Sequence, residues 1–273
     1  MAEAASGQVD EQGSASDDCN LGVALARRGD IGGAEAAFRR ADERGDPEGA
    51  CNLGVLLLNR GDTDGAEAAF RRADERGDPE GACNLGLLLV RRGDTEGAEA
   101  AFRRADARGD PDGACSLGKF LEDRGDIDGA EAALRRADER GSTQGACNLG
   151  VVLARRGDTD AAEAAFRRAD ERGSAAGAAS LGLLLEDRGD TDGAEAAFRR
   201  ADERGDPDGA CNIGVFLEDR GDAEDAEAAY RRADERGSAA GAYNLGALLR
   251  RRGDTEGAEA AFRRADARGL SGP

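Results

Sequence analysis

Cysteines recur in this chain at a regular interval, and a thiol can form a disulfide, bind a metal ion or act as a nucleophile. The interval is 32 residues or twice that, and the cysteines are Cys19, Cys51, Cys83, Cys115, Cys147 and Cys211. If they occupy the same place in stacked units, equivalent helices are about 8–10 Å apart. A disulfide needs Cα atoms within about 7 Å. The spacing therefore predicts packed thiols, without disulfides or a shared metal site.

The other residue types give little further chemistry. The chain has no His, so its thiols lack the basic partner that activates a nucleophile, and no glycine-rich phosphate-binding loop is present. Residues 62–65 (Asp-Thr-Asp-Gly) begin like a calcium loop, but the third Asp and the closing Glu are missing at the required spacing. We therefore predict a protein that is not an enzyme, with no cofactor and no metal.

Arg-Gly-Asp occurs twelve times, for example at 28–30, 44–46 and 60–62, and the tripeptide is known from cell adhesion. A simpler reading is available from helix chemistry. Arg and Gly suit the end of a helix, and Asp suits the start of the next one. We interpret these triplets as helix boundaries.

A 32-residue unit is repeated eight times along the chain. Its Asn-Leu-Gly segment, with close variants, begins at Asn20, Asn52, Asn84, Ser116, Asn148, Ser180, Asn212 and Asn244. Repeats of this length build solenoids, in which neighbouring units bury a continuous core. Copies this similar fit recent duplication or consensus engineering, and an engineered array need have no natural ligand.

Each unit is expected to contain two helices. In one example, residues 47–60 follow a capping Asp and start with Pro, and a second helix runs from about 63 to 76. Ala residues and one bulky plug, Phe70, form the apolar stripe of the second helix. Its other face carries Arg72 and an i,i+4 pair of Glu67 with Arg71. Gly54 lies inside the first helix, although Gly destabilises a helix interior relative to Ala. Its presence predicts that another helix packs too closely for a side chain at this position.

This pattern resembles the tetratricopeptide repeat. The matching residues are Leu53-Gly54-x-x-Leu57, Gly61-Asp62, Ala66-x-x-x-Phe70 and Ala73. Ala50 and Leu57 stand where that family usually has Trp and Tyr. The unit is also two residues shorter at its joint, where it looks like a Sel-like repeat. The resemblance implies an all-α, right-handed superhelix whose first helices line a concave groove, and a protein-binding role.

The resemblance covers residues 14–269 as eight repeats. Of the residues from 2 to 13, seven of twelve are identical to those from 34 to 45, so we expect 1–13 to be a degenerate capping half-repeat or disordered. Residues 270–273 are a C-terminal tail. The last repeat has no polar cap, which makes a homo-oligomer through this end an alternative expectation.

Charge and hydropathy limit the partners. The net charge of -19 repels phosphate backbones, so nucleic-acid binding is not expected. No apolar stretch reaches 18 residues, and no signal peptide is visible, so we predict a cytoplasmic protein without membrane contact. Mimicry of nucleic acid, as an acidic decoy of a nucleic-acid-binding protein, is a further alternative.

The first candidate binding feature is the asparagine row, defined as Asn20, Asn52, Asn84, Asn148, Asn212 and Asn244. The family resemblance places such residues in the groove, where an amide can both donate to and accept from the backbone of an extended peptide. At about 8–10 Å per repeat the row would meet every second or third residue of a strand. The alternative is that these amides only stabilise neighbouring helices.

The second candidate is the variable strip in the C-terminal half of each first helix, where the repeats differ most. In the first three repeats the strip is apolar with Arg, and in repeats four, six and seven it is acidic. Such variation fits partner recognition or neutral drift on a solvated face. Its candidate partner-binding residues are Val55, Leu58, Leu87, Arg91, Lys119, Glu122, Asp123, Glu186, Asp187, Glu218 and Asp219. We predict a scaffold that binds a peptide or partner protein in the groove.

Overall fold

A computed structural model describes residues 14–269 of the chain, which are entirely helix and tight turn, with no strand. The predicted half-repeat at 1–13 and the tail at 270–273 lie outside the described residues. The helices are α1 (Ala15–Arg27), α2 (Ile31–Glu43), α3 (Pro47–Asn59), α4 (Thr63–Glu75), α5 (Pro79–Arg92), α6 (Thr95–Ala107), α7 (Pro111–Asp123), α8 (Ile127–Glu139), α9 (Thr143–Arg156), α10 (Thr159–Glu171), α11 (Ala175–Asp187), α12 (Thr191–Glu203), α13 (Pro207–Asp219), α14 (Ala223–Glu235), α15 (Ala239–Arg251) and α16 (Thr255–Ala267).

Odd-numbered helices are the first helices of the repeats and even-numbered helices are the second. The chain divides into two compact units, Met1–Gly129 and Ala130–Pro273. Consecutive helices pack against each other from α1 to α7 within the first unit and from α9 to α16 within the second. Successive first helices also touch, as α3 does with α5. The fold is the predicted all-α solenoid.

The helix boundaries follow the capping residues. Asp46 accepts a hydrogen bond from the Glu48 backbone N–H at 3.1 Å, and Pro47 is the first residue of α3. At the other end Gly61 has a φ of 82°, a left-handed conformation that Gly adopts without strain. Asp62 then accepts from the Gly65 N–H at 2.9 Å and starts α4. The structure thus confirms that this Arg-Gly-Asp triplet is a helix boundary.

In seven of the repeats a bulky side chain packs on a glycine of the first helix. Phe70 is 1% exposed, and a Cβ atom on Gly54 would lie 2.5 Å from the Phe70 ring. A Cβ on Gly214 would lie 2.6 Å from the ring of Tyr230, the equivalent plug in repeat seven. The close helix–helix contact predicted from Gly54 is confirmed.

Second helices are joined by a cluster that the sequence interpretation missed. Asp42 is buried and accepts hydrogen bonds from Arg72 Nε at 3.0 Å and from Arg76 Nη1 at 2.6 Å, both in the next repeat. Arg72, expected on the solvated face, is therefore half-buried. Burial alone would raise the pKa of Asp42, but the two Arg donors outweigh it and lower that pKa. The pKa is lowered for the same reasons at Asp74, Asp170, Asp202 and Asp234.

A second kind of ion pair links the end of a first helix to the preceding repeat. Glu67 pairs with Arg71 at 2.6 Å, as the i,i+4 spacing predicts, and also with Arg92 Nη1 at 2.7 Å. The Arg that precedes the helix-closing Gly therefore also holds two repeats together. None of the described helices has the length and apolar character needed to cross a membrane.

Candidate functional site

The asparagine row lies where successive first helices meet. Asn52 Nδ2 donates to Cys19 Sγ at 3.5 Å, and Asn84 Nδ2 donates to Cys51 Sγ at 3.6 Å. Asn244 lies 3.4 Å from the Sγ of Cys211 in the same way. Each of these amides contacts the thiol of the preceding repeat, which fits the alternative that the row stabilises neighbouring helices. Binding of a partner by the row remains a prediction.

Two members of the row differ from the others. Asn20 is exposed, whereas the remaining five are half-buried. Asn212 follows a repeat that has Ala179 in place of the cysteine, and within the described residues its amide has no hydrogen-bond partner. The Asn148 Oδ1 accepts from Gln144 Nε2 at 2.8 Å. The Asn212 amide therefore lacks the thiol contact that Asn52, Asn84 and Asn244 make.

The cysteines behave as packing residues. All six are free and buried, as predicted for structural thiols. Burial raises the pKa of Cys83 to about 11, a rise that the contact with Ser116, 3.6 Å away, only partly offsets. Burial also raises the pKa of Cys51. A thiol is nucleophilic as thiolate, so these side chains are poor nucleophiles at neutral pH.

The variable strip of the first three repeats presents apolar side chains to solvent. Val55 is 37% exposed, Leu87 46% and Val90 44%. Leu58 is half-buried and Arg91 is exposed. Because α3 and α5 are in contact, these residues lie on adjacent helices. We call this side of the molecule, within either unit, the first-helix face.

A cavity of about 450 Å³ opens on this face between α1, α2 and α3. It brings the two candidate features together, because Asn52 from the row and Val55 from the strip both line it. Phe38 and Leu56 are buried apolar residues of its wall. Arg27 lines the cavity as well. An apolar recess with a few polar groups at its edge is the usual form of a ligand site.

The acidic residues of the variable strip differ in whether they pair with other side chains. Lys119 pairs with Asp123 at 2.9 Å and with Glu122 at 3.6 Å, so the charges of repeat four neutralise one another in part. Glu218 accepts from the Tyr230 hydroxyl at 2.9 Å and also pairs with Arg251. The remaining strip residues, which are exposed to solvent, are Glu186, Asp187 and Asp219.

The contact between Glu218 and Tyr230 was not expected from the sequence. The signal for it is the single Tyr at the plug position, where six of the other seven repeats have Phe and one has Leu. A buried Tyr hydroxyl needs a partner, and Glu218 lies on the first helix of the same repeat. Among residues 14–269 no group of three or more Cys, Asp or Glu side chains is placed to hold a metal ion.

Sequence comparison identifies one family along most of the chain. A family model described as "Tetratricopeptide repeat" matches residues 51–114, 83–145, 116–178, 147–210 and 211–272. A second model with the same description matches 18–40. No curated protein matches the chain significantly.

Solved structures share the fold at low identity. The chain is similar to a Sel1 repeat protein from Oxalobacter formigenes, with 22% identity and a TM-score of 0.75 over 94% of this chain and 84% of that one. It is also similar to a tetratricopeptide repeat protein from Parabacteroides merdae, with 14% identity and a TM-score of 0.53 over 92% and 98%. Both repeat types expected from the sequence are thus found among the structural neighbours.

Proposed function

Because the chain belongs to the tetratricopeptide repeat family, we propose that it is a protein-interaction scaffold that holds an extended segment of a partner polypeptide on its first-helix face. Repeats of this family commonly act as scaffolds for protein interactions. The observation that carries the proposal is the 450 Å³ cavity, which Asn52 of the asparagine row and Val55 of the variable strip line together. Its size lies within the range of about 300–1,000 Å³ that is usual for ligand sites.

The chemistry of this face suits an extended chain. Exposed aliphatic side chains such as Val55 and Leu87 gain about 25 cal/mol for each Å² that a ligand removes from water. Amides of the row that already donate to a thiol keep an oxygen that can accept from a ligand backbone N–H. Asn212 can offer both its NH₂ donor and its carbonyl acceptor to the ligand. An extended ligand would therefore place alternate side chains on the strip and its backbone along the row.

Selection of peptides on the intact protein tests this proposal. Peptides of random sequence, displayed with both ends fused to carrier, would be selected on the immobilised protein and their affinities measured in solution. We expect Val55→Asp and Leu87→Asp to weaken the selected peptides at least tenfold, because each places a charge in the apolar contact. Ile127→Asp is the matched control, since Ile127 is a similarly exposed aliphatic residue, 38% exposed, that starts a second helix.

Two results would contradict the scaffold. Failure of the intact protein to select any peptide would remove the basis for a binding face. Equal loss of binding in all three Asp variants would show a general effect on the fold and not a site. The homo-oligomer and the acidic decoy stay as predictions from the sequence.

A further inference from the structure

We infer that the cavity between α1, α2 and α3 selects an internal polypeptide segment in which a bulky aliphatic residue lies two positions from an acidic residue. This inference rests on the proposed function and adds the chemistry of the ligand. It depends on which arginines of the structure are neutralised and which are not.

Most arginines in the described range are already engaged. They pair with Asp or Glu, as Arg72 and Arg92 do, or lie over an aromatic ring, as Arg124 and Arg250 do. Among residues 14–269, the side chains of Arg27, Arg28 and Arg91 have neither kind of contact. All three are exposed, and they stand in the last turn of a first helix or at its end. In a chain of net charge -19, unpaired cations on one face are a local exception.

Two of these arginines belong to the candidate site. Arg27 lines the cavity, and Arg91 has the equivalent position two repeats further on. Asn59, which also lines the cavity, has that position in the repeat between them. On the same first helices as Asn59 and Arg91 lie the exposed aliphatic side chains of Val55 and Leu87. The face therefore combines an apolar surface with cationic edges.

A carboxylate is the ligand group that fits this edge. Guanidinium binds carboxylate through two parallel hydrogen bonds, and a wholly apolar ligand would cover the cation without giving it a partner. A basic ligand would be repelled by Arg27. The cavity is also lined by the side chains of Val23, Val55 and Phe38. These offer only carbon atoms to a ligand side chain placed between them.

The spacing sets how close the two ligand residues must be. Val23 and Arg27 are one helical turn apart, which is about 6 Å along the axis of α1. Two residues of an extended chain span about 6.6 Å. Because alternate side chains of an extended chain share a face, an aliphatic side chain beside Val23 places a carboxylate near Arg27 when the acidic residue is two positions away.

The peptide selection described above tests the inference when the selected sequences are read. Because both peptide ends are fused, any carboxylate must come from a side chain. We expect Asp or Glu to be enriched two positions before or after Leu, Ile, Val or Met. The double variant Arg27→Glu, Arg91→Glu is expected to bind these peptides at least tenfold more weakly and to select Lys or Arg at the acidic position instead.

A matched control separates the site from the change in net charge. Arg263 is 70% exposed and has only a long 3.7 Å pair with Glu259, so Arg263→Glu makes half of the double variant's change in net charge, in the other unit. It should bind the selected peptides as the unaltered protein does. Arg27 and Arg91 make no hydrogen bond, ion pair or ring contact among the described residues. The double variant should therefore lower the melting temperature by only a few degrees, through the less favourable charge at two helix C-termini, as circular dichroism would check.

The outcomes distinguish this inference from the proposed function. Peptides that bind, that are lost in Val55→Asp, but that show no acidic bias would overturn the inference and leave the scaffold standing. The same holds if the double Arg variant keeps full affinity. A protein that selects no peptide would overturn both.

Discussion

Gly54 lies within α3, where Ala would ordinarily be favoured by about 1 kcal/mol. Here the Ala Cβ would lie 2.5 Å from the buried Phe70 ring, so the ring or the helix must move. We expect Gly54→Ala to lower the free energy of unfolding by about 1–3 kcal/mol, as overpacked cores do. Gly32→Ala is the control, because a Cβ there meets nothing within 4 Å and should leave stability unchanged or slightly higher. Urea unfolding of both variants would measure the difference, and equal stability would contradict the packing argument.

The asparagine row allows a second comparison between single residues. Asn84 donates to Cys51 at 3.6 Å, whereas Asn212 has no partner within the described residues. We expect Asn84→Ala to cost up to about 1 kcal/mol of stability and Asn212→Ala to cost almost none, as thermal unfolding would show. If the row binds ligand backbone, Asn84→Ala should also weaken the selected peptides, because Asn84 is in the same unit as the cavity. Full affinity in Asn84→Ala would assign Asn84 to helix packing alone.

At the level of the helix, the Asp–Arg–Arg cluster should stabilise the stack more than any surface pair. Asp74 is buried and accepts from Arg104 and Arg108. Asp74→Asn keeps the shape but removes the charge that both guanidinium groups need, so we expect a loss of about 1.5–3 kcal/mol. Asp64→Asn is the control, because Asp64 is 93% exposed in its pair with Arg92 and exposed pairs add little. Urea unfolding that ranks the two variants the other way would contradict this assignment.

The same cluster shows why one part of the structure was predicted and another was not. Helix ends, the Phe70 plug and the contact at Gly54 depend on residues within one unit, and one copy of the repeat is enough to predict them. Arg72 looks like a surface residue in a single unit, because its partner Asp42 is 30 positions earlier in the preceding copy. For the candidate site, the sequence predicted the asparagine row and the variable strip as two separate binding features. The cavity that joins them depends on how α1, α2 and α3 pack, which spacing does not specify.

Across the whole molecule, the carboxylates with lowered pKa predict a stability that depends on pH in a definite direction. Asp42, Asp74, Asp170, Asp202 and Asp234 have folded-state pKa values below the ordinary 3.8. The unfolded chain therefore binds protons first as the pH falls. Their contribution is complete above about pH 4 and is lost as the pH falls through the lower folded values.

Net charge also makes stability depend on pH, and the two effects can be separated. From pH 7, where the charge is -19, down to the pI of about 4.5, acid relieves the repulsion between negative charges; below that pH the chain becomes positive and repulsion grows again. Salt screens the repulsion between exposed charges but acts weakly on buried pairs. We therefore expect urea unfolding in 0.5 M salt to show a fall in stability from about pH 4 to pH 2.5, and the double variant Asp74→Asn, Asp170→Asn to show a smaller fall. An equal fall in the double variant would contradict this prediction. It would show that removing two buried clusters leaves the proton uptake on unfolding unchanged, so these clusters would not be the cause of the lower stability in acid.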